Sequence, residues 1–231
     1  MTLSVIPVPG LPEVVAGDDL AALVASAADL RDGDVVVVTQ KVVSKAEGAM
    51  APIPTDDPRG HKAIVEEQSV RIVRRRGDLI ISETRHGFVC ANAGVDLSNV
   101  EDGWVALLPE DSDRSSRRIR DGLRAIVGVE VAVIVSDTFG RPWRRGLTDV
   151  AIGCAGIRAI VDLRGTEDSQ GRELQVTEVC VVDELAGAAE LVMGKASGVA
   201  VALIRGVDPA WLGQGEVRAE VVRPPQEDLF R

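Results

Sequence analysis

A short apolar run that ends abruptly in polar residues most constrains how this chain can fold. Residues 131–135 are apolar and mostly β-branched, which predicts a buried strand. The run is followed by Asp137 and Thr138, and then by a turn rich in Gly, Pro and Arg. Because ligands in open α/β sheets bind just beyond the carboxyl ends of strands, this carboxylate and hydroxyl can hold a hard divalent cation through oxygen. A turn that merely ends the strand explains the same two residues.

The turn itself carries three arginines, Arg141, Arg144 and Arg145, around an apolar Trp143. Guanidinium groups bind phosphate or carboxylate in a fork geometry. A solvated basic loop is the simpler explanation, but it accounts less well for a tryptophan among the arginines. The arginines are therefore candidates for binding an anionic ligand.

The overall composition limits the kinds of partner. The formal net charge of the 231 residues is -10, which argues against a basic surface for nucleic acid. Aromatic residues make up 3%, so base-stacking platforms are not indicated. The sequence contains neither a secretory leader pattern nor an apolar run that could span a bilayer. We therefore expect a cytoplasmic protein without nucleic-acid or membrane partners.

The remaining chain alternates irregularly between strand and helix patterns. Residues 35–39 predict a second buried strand, and residues 111–128 predict a helix from apolar residues at helical spacing. A helix is also predicted from His61 to about Arg76, with arginines in its C-terminal turns. Residues 176–182 predict a strand, after which Asp183 and Glu184 cap a helix that runs towards Gly194 and Lys195.

These patterns lead to a fold class and a domain division. Neighbouring strands at several points favour a mixed α/β (α+β) fold over a regular doubly wound sheet. We expect one domain over residues 1–223, followed by a tail or linker over residues 224–231.

Standard nucleotide motifs are absent from the sequence. No G-x-G-x-x-G follows a strand, and the segment at Gly187 to Ser197 fails as a P-loop because its glycines are too far apart and Ala196 follows Lys195. From spacing alone, Gly194 is better explained as a helix C-cap, with Lys195 placed on the helix dipole. What remains is a set of oxygen ligands at strand ends and loops: Asp96, Asp137, Thr138, Asp149, Glu178, Asp183 and Glu184. Oxygen-only ligation suits Mg²⁺ or Mn²⁺, and together with the basic residues it indicates metal-assisted phosphoryl transfer.

Five segments then carry a family pattern. They are residues 10–13 (GLPE), 35–48 (VVVVTQKVVSKAEG), 93–99 (AGVDLSN), 136–144 (SDTFGRPWR) and 176–186 (VTEV followed by DELA). In this order, and over residues 6–206, the chain resembles the coenzyme F420:L-glutamate ligase family. Several motifs in the right order are more specific than any one of them.

The resemblance implies a GTP-dependent amide ligase. Such an enzyme adds L-glutamate through γ-linkages to the deazaflavin precursor F420-0 and its shorter glutamylated forms, by way of an acyl phosphate. The resemblance further implies one or two Mg²⁺ or Mn²⁺ ions, with K⁺ as an additional candidate. It also implies an intertwined homodimer with the family's own fold of mixed sheets, and a fused or separate nitroreductase-like domain.

The resemblance also assigns roles to residues of this chain. It implies Asp96, Asp137 and Thr138 as metal ligands. The implied GTP contacts are Leu11, Pro12, Glu13, Val14, Gln40, Lys45, Asn99, Met193, Gly194, Lys195, Ala196, Ser197, Gly198, Val199 and Ala200. Asp137 and Arg144 are our candidates for catalysis, Arg144 through the acceptor's phosphate or carboxylates. Two alternatives stay open: a GTP- and metal-binding domain that needs a partner domain, and a small-molecule kinase.

Overall fold

The computed structural model of the protein describes residues 2–57 and 59–228, so residues 229–231 of the predicted tail lie outside it. The strands are β1 (Ser4–Val8), β2 (Val35–Thr39), β3 (Met50–Pro52), β4 (Ser69–Arg76), β5 (Leu79–Thr84), β6 (Val89–Ala91), β7 (Trp104–Ala106), β8 (Ala132–Gly140), β9 (Leu147–Ala155), β10 (Val161–Asp162), β11 (Glu178–Val179) and β12 (Val201–Arg205). The α-helices are α1 (Leu20–Ala27), α2 (Gln40–Glu47), α3 (His61–Glu67), α4 (Ser112–Val127), α5 (Val181–Met193) and α6 (Val217–Glu220). Across the described ranges, no helix combines the length and the apolar character needed to cross a membrane.

A five-stranded sheet in the order β1-β12-β2-β8-β9 forms the centre of the structure. β2 and β8 run parallel, and the other neighbouring pairs run antiparallel. Both β2 and β8 begin with apolar residues on both faces, which is the pattern of strands covered by helices on both sides. The mixed pairing confirms the expected mixed α/β fold.

Alternate residues of the central strands face two separate hydrophobic cores. Val133 packs with Val24 of α1 and Leu123 of α4 in one core, while Ile134 packs with Leu185 of α5 in the other. These five side chains are at most 3% exposed. Burying a side chain of this size contributes roughly 1.5–3 kcal/mol, so the two helix layers hold the sheet from both faces.

Smaller sheets lie between α2 and α4 in the chain. β3 pairs with β7, and β4, β5 and β6 form a three-stranded sheet. Ile64, Val65, Ile80 and Val105 form a third hydrophobic core in this part. Because β6 contacts β8, this region brings the loop after β6 close to the end of β8.

Two helices begin with an aspartate at the N-cap position. The Asp19 carboxylate accepts the N–H groups of Ala21 and Ala22 at the start of α1. The Asp111 carboxylate accepts the N–H of Arg114 at the start of α4. An N-cap of this kind contributes about 1 kcal/mol, so local chemistry fixes these boundaries.

The helix predicted from His61 to Arg76 is wrong beyond Glu67. The chain turns there and continues as β4, an edge strand paired antiparallel with β5. Its β-branched residues favour a strand, and Arg71 Nε lies 3.0 Å from Glu83 Oε2 across the pair. The arginines therefore lie on an exposed strand and do not complement a helix dipole.

The strand predicted for residues 176–182 is also mostly wrong. Only Glu178–Val179 form a strand, and α5 begins at Val181 with Cys180 as its N-cap residue. Asp183 and Glu184 lie inside the first turn, where carboxylates are favourable beside the helix dipole. The predicted helix itself is confirmed, and it ends at Gly194.

Candidate active site

Several chain segments meet at one end of the central sheet. The last residue of β1, Val8, lies opposite the first residue of β12, Val201. Val201 also lies opposite Val38 near the end of β2, and Thr39 lies opposite Ser136 of β8. Four segments therefore lie at the same end of the sheet: those after β1, before β12, after Thr39 of β2 and after Ser136 of β8. We call this end the polar edge.

The segments with implied GTP contacts lie largely at this polar edge. The Lys45 ammonium of α2 pairs with the Glu13 carboxylate in the loop after β1. The Thr39 N–H donates to the Ala200 carbonyl just before β12, with an N–O distance of 3.0 Å. Contacts between residues far apart in sequence thus bring residues 11–14, α2 and residues 193–200 together.

The side chain of Gln40 is held inside the protein. Gln40 is 1% exposed. Its Nε2 donates to Ser44 Oγ at 2.6 Å and to the Leu107 carbonyl at 2.7 Å. Its amide nitrogen is therefore engaged by the protein, and its contact with GTP stays a prediction.

The segment after α5 turns sharply. Met193 is fully buried, which indicates a packing role for its side chain. Gly194 and Gly198 have φ values of 59° and 72°, and Ser197 Oγ donates to the Met193 carbonyl. Glycine adopts this left-handed backbone without steric cost, so the segment can form a tight loop that directs Lys195 towards β8.

Asp96 is held by a lysine from α2. Lys41 Nζ lies 2.9 Å from Asp96 Oδ2 and 2.6 Å from Ser98 Oγ. The backbone N–H and the hydroxyl of Ser98 both donate to Asp96 Oδ1 at 2.8 Å. Burial alone would raise the pKa of Asp96, but Lys41 and Ser98 outweigh it, so the pKa lies below its usual value. Asp96 is therefore a fixed carboxylate that stays ionised.

Asp137 lies near the end of β8 and is half-buried. Its Oδ1 accepts the Thr138 N–H at 2.7 Å. Burial raises the pKa of Asp137 to about 7, against the effect of that hydrogen bond, and the negative charges of Asp96 and Asp149 act in the same direction as burial. Lys195 opposes them. Around Asp137, the positive charge of Lys195 therefore does not fully offset the negative charges of Asp96 and Asp149.

Thr138 belongs to a second polar group. Its Oγ1 donates to Asp149 Oδ1 at 2.6 Å, and Ser136 Oγ donates to Asp149 Oδ2 at 3.0 Å. Asp149 is 2% exposed, and Lys195 Nζ lies 3.1 Å from its Oδ1. Lys195 Nζ also donates to Thr138 Oγ1 and lies 3.0 Å from Glu190 Oε1. Partial burial lowers the pKa of Lys195, but these two carboxylates raise it above its usual value.

The residue pattern of the strand separates Asp137 from Thr138. Successive side chains of a strand point to opposite faces, and Thr138 pairs in register with Asp149 while Asp137 pairs with Val150. Asp137 thus leaves β8 on the face opposite to Thr138, and it interacts electrostatically with Asp96 and Cys90 as well as with Asp149 and Lys195. The Thr138 hydroxyl is engaged by Asp149 and Lys195, and its role as a metal ligand stays a prediction.

Some members of this site were not identified from the sequence. The sequence gives no role to Lys41, whose pairing with Asp96 joins residues 55 positions apart. Glu190, in the last turn of α5 and five residues before Lys195, was also not predicted. Asp149 was named only as one oxygen ligand of seven, and its burial against two hydroxyls was not expected.

The donor chemistry suits a hard divalent cation. Asp96 and Asp137 offer only oxygen, and the raised pKa of Asp137 arises in part from carboxylate charge that a cation would neutralise. Within residues 2–57 and 59–228, no group of three or more His, Cys, Asp and Glu side chains is arranged to hold a metal ion. The protein thus offers two carboxylates, Asp96 and Asp137, with a hydroxyl nearby.

The arginine-rich turn lies farther out. Residues 141–146 connect β8 to β9, and Arg144 is exposed. Arg141 Nη2 donates to the Arg145 carbonyl at 3.1 Å, which folds the turn on itself. Trp143 is 83% exposed and has a φ of 57°. The structure therefore positions Arg144 seven residues beyond Asp137 on an exposed hairpin, and its catalytic role stays a prediction.

Comparisons with known proteins identify relatives over the whole chain. A family profile described as F420-0:Gamma-glutamyl ligase matches residues 10–206. A protein of Methanopyrus kandleri named Coenzyme F420:L-glutamate ligase is 47% identical over 249 aligned positions, which cover 100% of this chain and 98% of that protein. Proteins with the same name from Methanothermobacter thermautotrophicus and Archaeoglobus fulgidus are 46% and 38% identical, and the alignments cover 100% of this chain with 100% and 97% of those proteins.

Proposed function

The chain belongs to the F420-0:gamma-glutamyl ligase family, and on this premise we propose that it is a GTP-dependent ligase. It adds L-glutamate through γ-linkages to F420-0 and to its shorter glutamylated forms. The name of the relatives supports the acceptor and the amino acid. The observation that carries the proposal is that Asp137, at the polar edge, interacts electrostatically with both the carboxylate of Asp96 and the ammonium of Lys195.

The proposed reaction has two steps. An oxygen of the acceptor carboxylate attacks the γ-phosphorus of GTP, the bond to the β-phosphate oxygen breaks, and GDP leaves. The amine of L-glutamate then attacks the acyl carbon of the acyl phosphate, loses a proton and forms the amide as inorganic phosphate leaves. Phosphoryl transfer depends mainly on positioning and on neutralising charge, and the residues of the polar edge are suited to both.

We assign Asp96 and Asp137 to hold one or two Mg²⁺ or Mn²⁺ ions, with Thr138 as a third oxygen donor. Mg²⁺ is commonly held in proteins by one or two carboxylates together with substrate phosphates. When bound, the metal would supply positive charge against the transferring phosphoryl group. Lys41 and Ser98 orient Asp96, and the Thr138 N–H orients Asp137. K⁺ is an additional ion to be tested.

We assign the nucleotide to the loops of β1, β2 and β12 at the polar edge. Lys45 and Lys195 supply ammonium groups for phosphates, although each is paired with a carboxylate in this structure. The backbone of residues 11–14 and 193–200 supplies N–H groups, and Asn99 follows Ser98 on the loop that carries Asp96. When nucleotide binds, a phosphate would replace Glu13 as the partner of Lys45 and Glu190 as the partner of Lys195, so both ammonium charges would stay neutralised.

We assign Arg144, with Arg141 and Arg145, to the acceptor's phosphate or carboxylates. The exposed position of Arg144 beyond the end of β8 supports contact with a ligand chain that extends out of the site.

We also propose a homodimer. Its support is the exposed apolar side chains of the β4-β5-β6 sheet, among them Val70 at 68% and Val73 at 45%, since such patches mark interaction surfaces.

One assay tests the function and separates it from the alternatives. The chain is incubated with GTP, Mg²⁺ or Mn²⁺, L-glutamate and F420-0, and GDP release is measured with each component omitted in turn. Sustained release that needs both F420-0 and L-glutamate, with glutamylated product by mass spectrometry, is expected. Release that needs only F420-0 would identify a kinase, and nucleotide binding without turnover would identify a domain that needs a partner.

A further inference from the structure

A cavity of about 300 Å³ lies beside the candidate site, at the outer strand of the central sheet. Its apolar walls include Phe88, Phe139, Val150 and Val222, and its charged lining residues are Arg223, Asp183 and Asp228. The rings of Phe88 and Phe139 meet edge to face, with centroids 5.9 Å apart and planes at 76°. Two aromatic rings at this angle form a corner in which a flat ring can stack on one and contact the edge of the other.

Two strand neighbours of Asp137 line the cavity. Phe139 lies two residues beyond Asp137 on β8, so both side chains leave the strand on the same face, roughly 7 Å apart along it. Val150 is the register partner of Asp137 on β9, and directly opposite residues have Cβ atoms about 5 Å apart. A ligand in the cavity therefore lies within a few ångströms of the assigned metal ligand.

The order of the strands helps to decide which flat ring occupies the cavity, the guanine of the nucleotide or the ring of the acceptor. The loops assigned to the nucleotide belong to β1, β12 and β2, on one side of β8, and from them Lys195 reaches across to Asp149 on β9. The cavity lies against β9 at Val150, whose side chain points to the opposite face of the strand from Asp149. With phosphates at Asp137, a guanine base would extend towards β1. The acceptor must approach the γ-phosphate from the opposite side for in-line displacement, and this is the side of the cavity.

We propose that this cavity binds the flat deazaflavin ring of the acceptor, with the ring against Phe139 and the phosphate-bearing chain directed towards Asp137. The assignment rests on the proposed function. The Arg223 guanidinium, which has only donors, suits the carbonyl oxygens of the ring's pyrimidine edge. The C-terminal segment packs closely on the loop before β6, since a Cβ added to Gly87 would lie only 2.8 Å from Val222 Cγ1.

The test fills the cavity. In Val222→Trp the larger side chain occupies the space of the ring, and Val176→Trp is the matched control, because Val176 is 84% exposed outside the cavity. We expect the first variant to raise the KM for F420-0 at least about tenfold, the cost of losing one stacked ring, while the KM for GTP changes less than about twofold. The control should keep both values. A wild-type KM for F420-0 in Val222→Trp, or a selective rise in the KM for GTP, would overturn the proposal.

A binding measurement without turnover separates this proposal from the proposed function. The probe is the deazaflavin nucleoside, which lacks the phosphate and the acceptor carboxylate of F420-0, and its binding is followed by fluorescence. We expect Phe139→Ala to weaken binding about tenfold and Phe139→Trp to retain it, with circular dichroism used to verify folding. Equal affinity in Phe139→Ala and wild type would overturn the cavity assignment. Failure of the ligase function would instead appear as absent GDP release in wild type while the nucleoside still binds.

Discussion

Asp137 is the proposed metal ligand whose substitution tests the proposed chemistry most directly. Asp137→Asn keeps the Oδ1 atom that accepts the Thr138 N–H but removes the negative charge, and a neutral amide binds hard cations more weakly. We expect kcat/KM to fall about a hundredfold or more with unchanged folding. Steady-state rates at limiting Mg²⁺ and at saturating Mg²⁺ measure the effect.

The control for this variant is Asp162→Asn. It makes the same substitution on β10, at a carboxylate that pairs with Arg164 at 2.6 Å and has no part in the assigned site. It should keep wild-type rates. Wild-type kcat/KM in Asp137→Asn at limiting metal would remove Asp137 from the site.

His86 is a residue from which a contribution to stability that is lost at low pH is expected. Burial lowers the pKa of His86, and the charge of Arg85 acts in the same direction. The folded ring therefore stays neutral at pH values at which the unfolded chain, with an ordinary pKa of about 6.5, binds a proton. The contribution of His86 to stability is complete above this value and is lost as the pH falls below it.

The variant His86→Phe removes the titrating group and keeps a ring against Phe88, from which His86 lies 6.0 Å in centroid distance. Between pH 6.5 and 5, the free energy of unfolding of wild type should fall more steeply than that of the variant, by up to about 1.4 kcal/mol per pH unit. Urea unfolding at several pH values measures both slopes. His61→Gln is the control and should keep most of the wild-type slope; identical slopes in His86→Phe and wild type would contradict the assignment.

At the scale of elements, β9 and α4 are joined by an unusually close contact. A Cβ added to Gly153 of β9 would lie 2.2 Å from the carbonyl carbon of Ser112 and 2.6 Å from the nitrogen of Asp113. Because these are backbone atoms, α4 would have to move. The Asp113 carboxylate also accepts the Cys154 N–H at 2.8 Å, so the same movement would break a buried hydrogen bond.

We therefore expect Gly153→Ala to lower the free energy of unfolding by about 3 kcal/mol, as measured in urea. The matched control is Gly187→Ala in α5, where the added Cβ would lie 3.6 Å from Thr148 Oγ1, an ordinary contact. Since alanine favours a helix over glycine by up to about 1 kcal/mol, the control should be neutral or stabilising. A loss of less than about 1 kcal/mol in Gly153→Ala would show that α4 is not held there.

Elements with a local signal could be predicted from the sequence. The β-branched run of β2 and the Asp111 cap of α4 determine their own boundaries. β4 could not be placed in this way, because Arg71 and its neighbours suit an exposed strand as well as a helix end. The choice between strand and helix depends on the pairing with β5, which includes the contact of Arg71 with Glu83. No local sequence pattern contains that information.

At the scale of the whole molecule, the order of the strands determines the site. The strand end at Asp137 was predicted as a cation site, but the sequence does not show that β12 lies between β1 and β2, or that Lys195 reaches Asp149. The pairing of Lys41 with Asp96 likewise depends on how the region of residues 50–106 packs against β8. The sequence therefore supplies candidate residues, and only the fold shows which of them lie together.

A ligand at the polar edge should stabilise the entire chain, because it joins loops of β1, β12, β2 and β8. A ligand that binds only the folded state contributes about 2.7 kcal/mol at a hundred times its Kd. For a chain of this size we expect GDP with Mg²⁺ to raise Tm by roughly 5–10 °C. GDP replaces GTP because it allows no turnover.

The controls remove either the metal or its proposed ligand. EDTA should remove most of the shift in Tm if the metal bridges the phosphates to the Asp96 and Asp137 carboxylates. Asp137→Asn should reduce the shift, while Asp162→Asn should keep it. Scanning calorimetry at fixed protein concentration gives all four values, and an equal shift with EDTA or in Asp137→Asn would mean that the nucleotide binds without these carboxylates.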